Sequence, residues 1–290
     1  FIILTLLSSK AFAGVTYVTK FSVKDQDLNP RDVQFNTDGT KMFVLGATGD
    51  DVNVYTLSTG FDLTSTVTFV NSYDLSGGLS GSTPTGLAFN SDGTKMFIAE
   101  YSADLILEYT LSTGFDLFST VNFVGSYDAG SQEDLITDVK FNSDGTKMFV
   151  LGQRGDDVNE YTLSTGFDLS SDVTFVDSFD VSDQDNNPLG LAFNNDGTKM
   201  FVAGDEGDDI NVYTLSTGFD VSTASFDGNY DALTITIYNG NTPIITDARS
   251  PTGLAFNSDG TKMFVVNPFW VPDAIMEYTL STGFDVVNTT

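Results

Sequence analysis

DGTKMFV occupies Asp38–Val44 and returns as DGTKMFI at Asp92–Ile98, then as DGTKMFV at Asp144–Val150, Asp196–Val202 and Asp259–Val265. A second phrase, YTLSTGFD, starts at Tyr55, Tyr109, Tyr161, Tyr213 and Tyr278. The DGTK phrases start 54, 52, 52 and 63 residues apart. Self-similarity at such a period means that each copy is one supersecondary unit. It cannot bury its apolar face alone, and its neighbours supply the cover. The 290 residues are therefore expected to form one domain of five copies.

Each copy parses into four short strands. In the second copy they are Gly86–Asn90 (GLAFN), Lys95–Ala99 (KMFIA), Leu107–Leu111 (LEYTL) and Val121–Tyr127 (VNFVGSY), all rich in β-branched and aromatic residues. The loop NSDGT between the first two strands is a hairpin turn in which Gly93 takes a positive φ. The loop STGFD between the last two is expected to give Gly114 the same role. No stretch sustains a 3.6-residue apolar period, so almost no helix is expected. The fifth copy ends at STGFDVVNTT without a fourth strand, whereas GVTYVTKFSV near the N-terminus matches the fourth-strand pattern VTFVNSYDL. Val15–Val23 is thus expected beside Met276–Leu280, closing a ring. The expected fold is all-β, a five-bladed β-propeller of four-stranded antiparallel blades closed by the N-terminal strand.

The pattern F-N-x-D-G-T-K-M-F-V, followed by a third strand and a T-G loop, resembles the YVTN or WD40-like β-propeller repeats over essentially residues 14–290. The resemblance implies the fold and leaves the activity open, because such propellers host many functions. The WD dipeptide of true WD40 repeats is absent.

Forty acidic residues face twelve basic ones, for a formal net charge of −28. Such a surface repels phosphate backbones, so nucleic acid is not an expected partner. The chain has no Cys and no His, which removes thiol catalysis, disulfides, imidazole bases and the commonest zinc ligands. Residues 1–13, FIILTLLSSKAFA, read as a partial secretory signal peptide: an apolar run, Phe1–Leu7, and an A-x-A cleavage signal at Ala11–Ala13. The run is shorter than the roughly 20 apolar residues that span a bilayer. Residues 14–290 are expected to be exported: secreted, periplasmic or at the cell surface.

Four groups of residues are candidates for function. Asp25, Asp27 and Asn29, and again Asp183, Asp185 and Asn187, carry a D-x-D-x-N spacing that presents alternate oxygens to a hard cation such as Ca²⁺. The bland alternative is a pair of solvated acidic turns. Asp32 and Asp138 lie on the innermost strand, either as a carboxylate pair for a hydrolase at the channel mouth or as structural groups bonded to backbone amides or Lys140. Glu108, Glu160 and Glu277 precede the third-strand Tyr and are expected at the surface. Phe61, Phe115, Phe167, Phe219 and Phe284 either line five equivalent sites or tuck under their loops.

The fifth copy breaks the symmetry. Its loop Asn267–Asp273 holds Phe269 and the sole tryptophan, Trp270. Before it, Leu233–Thr246 reads as an extra hairpin turned at Asn239–Gly240, with Tyr238 on it. Aromatic residues on loops over a rigid scaffold suit recognition, which makes Phe269, Trp270 and Tyr238 candidate ligand contacts; otherwise Trp270 covers the closing seam. The reading is an exported non-catalytic binding module for a glycan, a surface polymer or a partner protein. A carboxylate-dependent, glycosidase-like hydrolase at the central channel and a structural or adhesive surface protein are the alternatives.

Overall fold

A computed structural model describes residues 14–77, 83–231, 234–239, 242–247, 250–268 and 273–287. The first strand is β1 (Val15–Ser22). Blade 1 is β2 (Pro30–Phe35), β3 (Lys41–Gly46), β4 (Asp51–Leu57) and β5 (Val67–Asp74). Blade 2 is β6 (Pro84–Phe89), β7 (Lys95–Glu100), β8 (Leu105–Leu111) and β9 (Val121–Asp128). Blade 3 is β10 (Ile136–Phe141), β11 (Lys147–Gly152), β12 (Asp157–Leu163) and β13 (Val173–Asp180). Blade 4 is β14 (Pro188–Phe193), β15 (Lys199–Gly204), β16 (Asp209–Leu215) and β17 (Ala224–Tyr230). The hairpin β18 (Thr234–Asn239) and β19 (Thr242–Asp247) follows. Blade 5 is β20 (Leu254–Phe256), β21 (Lys262–Asn267) and β22 (Ala274–Leu280), and β1 is its fourth strand.

Val15 sits opposite Leu280 and Ser22 opposite Ala274, so the N-terminal strand closes the ring as the repeat pattern requires. The first strands of successive blades, β2, β6, β10, β14 and β20, touch one another and return to β2 as an inner ring. A single 3-10 turn, Val221–Thr223, is the helical content among the described residues, and no helix there is long and apolar enough to cross a membrane.

The apolar core lies between blades. The second strands read as continuous apolar runs because each sheet is covered on both faces. In β3, Met42 and Val44 pack with Phe264 and Val266 of blade 5, while Phe43 and Leu45 pack with Leu87, Met96 and Ile98 of blade 2. Each such side chain contributes about 1.5–3 kcal/mol on full burial. The fourth strands form the outer edge. Each carries one extra residue against its partner, at Val18, Val70, Val124, Val176 and Asp227, a bulge that kinks the edge and interrupts its ladder.

The two repeated phrases meet across each seam. The Phe of STGFD packs with the last Phe of its own blade's first strand and with the DGTKMF Phe of the preceding blade. Phe115, Phe89 and Phe43 form one such triad, with centroids of Phe43 and Phe89 at 4.8 Å; Phe61, Phe35 and Phe264 form the one at the closure. The five phenylalanines therefore tuck under their loops. They, and not the glycines before them, carry the positive φ: Phe115 has φ 54° and Gly114 is not in that region. Gly114 is needed for a different reason, since a Cβ there would lie 2.1 Å from the Asp92 carbonyl oxygen. The expected role of Gly114 is corrected accordingly, and Gly93 takes its turn conformation at φ 71°.

The DGTK lysine completes the contact. Lys95 donates to the Phe167 carbonyl at 2.5 Å and pairs with Glu108 at 2.6 Å, whose other oxygen accepts the Leu169 amide at 2.8 Å. Lys147 with Glu160 holds Phe219 and Val221 in the same way, and Lys262 with Glu277 holds Phe61 and Leu63. Glu108, Glu160 and Glu277 are each 1% exposed, so the expectation of surface positions is overturned: alternation along the third strand turns them inward, where a lysine of the same blade neutralises each and an amide of the next blade donates to it.

Blades 1 and 4 carry Val54 and Val212 at this position. Lys41 still reaches the Phe115 carbonyl at 2.8 Å, but Lys199 turns to Asp227 of its own blade at 3.5 Å. The seam between blades 4 and 5 thus lacks the clamp, and holds instead through contacts such as Asn195 to the Ser258 carbonyl and the Ser250 amide to Asp208.

Removing residues 14–23 opens the β22 edge and is expected to cause aggregation or a loss of several kcal/mol in urea unfolding. Glu160→Ala, which strands Lys147 and the Val221 amide, is expected to lower stability by about 3 kcal/mol. An unfolding midpoint equal to that of the parent protein would refute the clamp.

Candidate functional site

The inner ring is built in layers. Going down from the face that carries the loops into the first strands, the first layer is Arg31, Thr85, Thr137, Leu189 and Thr252. Three of these are threonines that tie blade to blade. Thr85 Oγ1 donates to the Ile136 carbonyl at 3.0 Å, Thr137 to Pro188 at 3.1 Å, and Thr252 to Pro30 at 3.3 Å.

One layer below, Asp32 and Asp138 are buried and share Lys140. Lys140 Nζ lies 2.9 Å from Asp32 Oδ2, 2.7 Å from Asp138 Oδ1 and 3.2 Å from the Leu87 carbonyl. The remaining capacity of each carboxylate goes to amides: Asp32 accepts from Val33 and Leu87, and Asp138 from Val139 and Leu191. The structure brings the two sequence-predicted carboxylates together, but as a knot that bridges blades 1, 2, 3 and 4. Neither oxygen pair is turned toward a space where a substrate fits.

Two cavities open along the inner ring, and Lys140 of the knot lines the lower one. The lower mouth, on the DGTK side, is a cavity of about 530 Å³ lined by Phe35, Phe141, Phe193 and Phe256 and by the repeated turns. Its asparagines are committed to those turns, as when Asn36 Oδ1 accepts the Lys41 amide at 2.9 Å. The upper mouth is a cavity of about 230 Å³ lined by Arg31, Thr83, Thr85, Tyr101, Thr137, Gln153, Leu189 and Thr252. Tyr101 donates to Gln153 Oε1 at 2.5 Å. The Arg31 Nε is buried without a hydrogen-bond partner. Sequence reasoning passed over these residues. The available signal was the position after each first-strand opening, which reads Arg, Thr, Thr, Leu, Thr through the five copies.

The D-x-D-x-N loops place their oxygens in different directions. Asp25 and Asp183 are exposed. Asp27 is buried and accepts the amides of Asn29, Thr48 and Gly49. Asp185 is buried likewise and accepts those of Asn187 and Gly207. In blade 3, Glu133 does the same for Arg154 and Gly155. These side chains fill the space beside Gly46, Gly152 and Gly204, where a Cβ would lie 2.1–2.3 Å from them. Blade 2 has Glu100 in place of the glycine, 1% exposed, so the carboxylate moves from the loop to the strand. Asn29 Oδ1 has no partner, and the Asn187 amide bonds to Asp205 at 3.0 Å. Among the described residues no group of three or more acidic, His or Cys side chains is arranged to hold a metal ion. Phe269 and Trp270 lie outside the described residues, and Tyr238 is described only as part of β18.

No family model and no curated protein matches the chain. Solved structures do. A functionally unknown protein from Desulfotomaculum acetoxidans is similar at TM-score 0.50 and 16% identity, over 83% of this chain and 66% of that one. A protein from Lactobacillus plantarum is similar at TM-score 0.50 and 10% identity, over 82% and 64%. The Cps50 (Swd1) β-propeller domain of Myceliophteria thermophila is similar at TM-score 0.51 and 8% identity, over 92% and 100%. The chain therefore spans about two thirds of the first two proteins. At these identities the likeness is one of fold, and it makes the chain a β-propeller.

The upper face concentrates carboxylates that resist ionisation. Burial, reinforced by Asp27, pushes Asp51 up to about 6, and burial with Asp185 does the same to Asp209. Burial also pushes Glu133, which shares a hydrogen bond with Asp157, up to about 7. In the channel, burial raises Asp138 to about 7, with Lys140 opposing and Asp32 adding. A carboxyl whose folded pKa is raised binds its proton more tightly in the folded state. Its contribution is complete below the ordinary value near 4 and is lost as pH rises through 6–7. The melting temperature is therefore expected to rise as pH falls from about 8 to about 5. Below that, the turn aspartates Asp38, Asp92, Asp144, Asp196 and Asp259, held low mainly by bonds from Thr hydroxyls, reverse the trend. Calorimetry across this range checks the sign, and Glu133→Gln should flatten part of the slope. A melting temperature that falls steadily from pH 8 to pH 5 would contradict it.

Proposed function

We propose that the chain is an exported, non-catalytic binding module built from YVTN or WD40-like repeats, with recognition on the upper face. The observation that carries this reading is the Asp32–Lys140–Asp138 knot. It ties up, by ion pairs and hydrogen bonds, the very carboxylates a channel hydrolase would use as acid and base, and neither of them lines the small pocket of the upper mouth. The two departures from the repeat fall in the β17–β20 and β21–β22 connections, and strand order directs both toward this face, which supports it as the part of the ring that differs from blade to blade. A glycan end, a surface polymer or a loop of a partner protein are the ligand classes that suit such a surface. Ca²⁺ in the Asp25–Asn29 and Asp183–Asn187 loops is a separate proposal. It requires a rise in melting temperature with Ca²⁺ that a chelator reverses.

Trp270 is the sole indole, so its fluorescence reports on the connection between β21 and β22 alone. Titration with a panel of glycans and polymers is expected to give a saturable shift. Trp270→Ala should weaken that binding by about 2 kcal/mol or more if the residue is a hot spot, and removal of residues 233–246 should weaken it without unfolding the ring. Asp138→Asn should lower stability and leave binding in place. Glycoside hydrolysis that disappears on Asp138→Asn would overturn the reading in favour of the hydrolase.

A further inference from the structure

The residue that departs most from its column is Arg31. Thr85, Thr137 and Thr252 each donate a hydroxyl to the next blade's carbonyl, and Arg31 stands where blade 1 would have the same tie to blade 2. The substitution removes a structural bond and installs a cation. Although the chain has forty acidic residues, Arg31 forms no hydrogen bond or ion pair with any described residue, and its Nε is buried. Asp27 and Tyr101 act on it through charge alone, so a half-buried guanidinium without a bonded anion is left open to one that a ligand supplies.

Resting on the reading of the upper mouth as the recognition site, we propose that this pocket binds a small hydroxylated monocarboxylate, of the uronic acid or hydroxy acid class, with Arg31 as the carboxylate receptor. Among the described residues no carboxylate lines the pocket. The planar fork of a guanidinium matches two carboxylate oxygens. The cavity of about 230 Å³ has room for one sugar or hydroxy acid. Around the rest of the wall, the threonine hydroxyls are donors already used and acceptors still open, Gln153 and Tyr101 are paired polar groups at the rim, and Leu189 offers an apolar patch to a C–H face. The net charge of −28 repels polyanions and dianions, so a single carboxylate is the anion that fits this setting.

The test is isothermal titration of the protein with D-glucuronate and D-galacturonate, with D-glucose as the neutral control and glucose 6-phosphate as the dianionic one. A uronate is expected to bind saturably, with glucose and glucose 6-phosphate weaker by about tenfold or more. Arg31→Gln should weaken uronate binding by about tenfold or more while the melting profile stays cooperative, and Arg31→Lys should fall between. Should Arg31→Gln not fold, Leu189→Asp serves in its place: a carboxylate in the same pocket should abolish uronate binding. Uronate affinity equal to that of glucose, or unchanged by Arg31→Gln, overturns the anion receptor and leaves the upper mouth as a neutral site. No binding by any of the four probes, where Trp270 still responds to a glycan or polymer, overturns the pocket and leaves the binding module standing.

Discussion

The ring depends on one recurring junction, in which the lysine of DGTK in one blade reaches the phenylalanine carbonyl of STGFD in the next, over a triad of phenylalanine rings. Two effects act there, and they have different jobs. Burial of the rings supplies most of the free energy, at about 1.5–3 kcal/mol for each side chain. The Lys–Glu pair adds less, because desolvation offsets most of its attraction. Its contribution is directional: a glutamate that accepts one lysine and one amide, both from fixed positions, admits a single placement of the neighbouring turn. The positive φ of each phenylalanine, near 54–59°, is a strain that the junction over-determines.

Much of this was legible in the sequence because a repeat reports the same physical requirement five times. The strand order, the turn at Gly93 and the closure by Val15–Ser22 follow from period, alternation and the missing fourth strand. The burial of Glu108 was not legible. A glutamate in an alternating strand reads as solvent-facing, and only Lys95 of its own blade together with the Leu169 amide of the next blade makes its burial tolerable. Gly114 was misread for a related reason: the constraint on it is the Asp92 carbonyl pressing from another turn, which no local propensity records. Arg31 needed a third kind of comparison. Nothing about an isolated arginine is informative, but an arginine in a column of threonines is.

The channel shows the same separation of structural and available groups. Of its charged residues, Asp32, Asp138 and Lys140 satisfy one another and the backbone, which makes them part of the scaffold. Burial lowers the pKa of Arg31 from its ordinary value, with Tyr101 and Asp27 working the other way at a distance. Arg31 is thus desolvated without a hydrogen bond, whereas the knot is satisfied.

The junction between blades 4 and 5 has lost its glutamate to Val212, its threonine to Leu189 and its lysine to Asp227. In terms of chain entropy, this is where extra sequence is easiest to accommodate. Lengthening a surface connection is inexpensive, about 0.6 kcal/mol for each doubling, so the limit on an insertion is the contact it disturbs rather than its length. Where a clamp fixes the neighbouring turn, an added segment must preserve that geometry. Here there is no clamp to preserve, and here the spacing of the copies stretches from 52 residues to 63, with a hairpin in the gap. The joint that lacks the lysine, glutamate and threonine ties is thus also the point at which the repeat departs most from its own spacing.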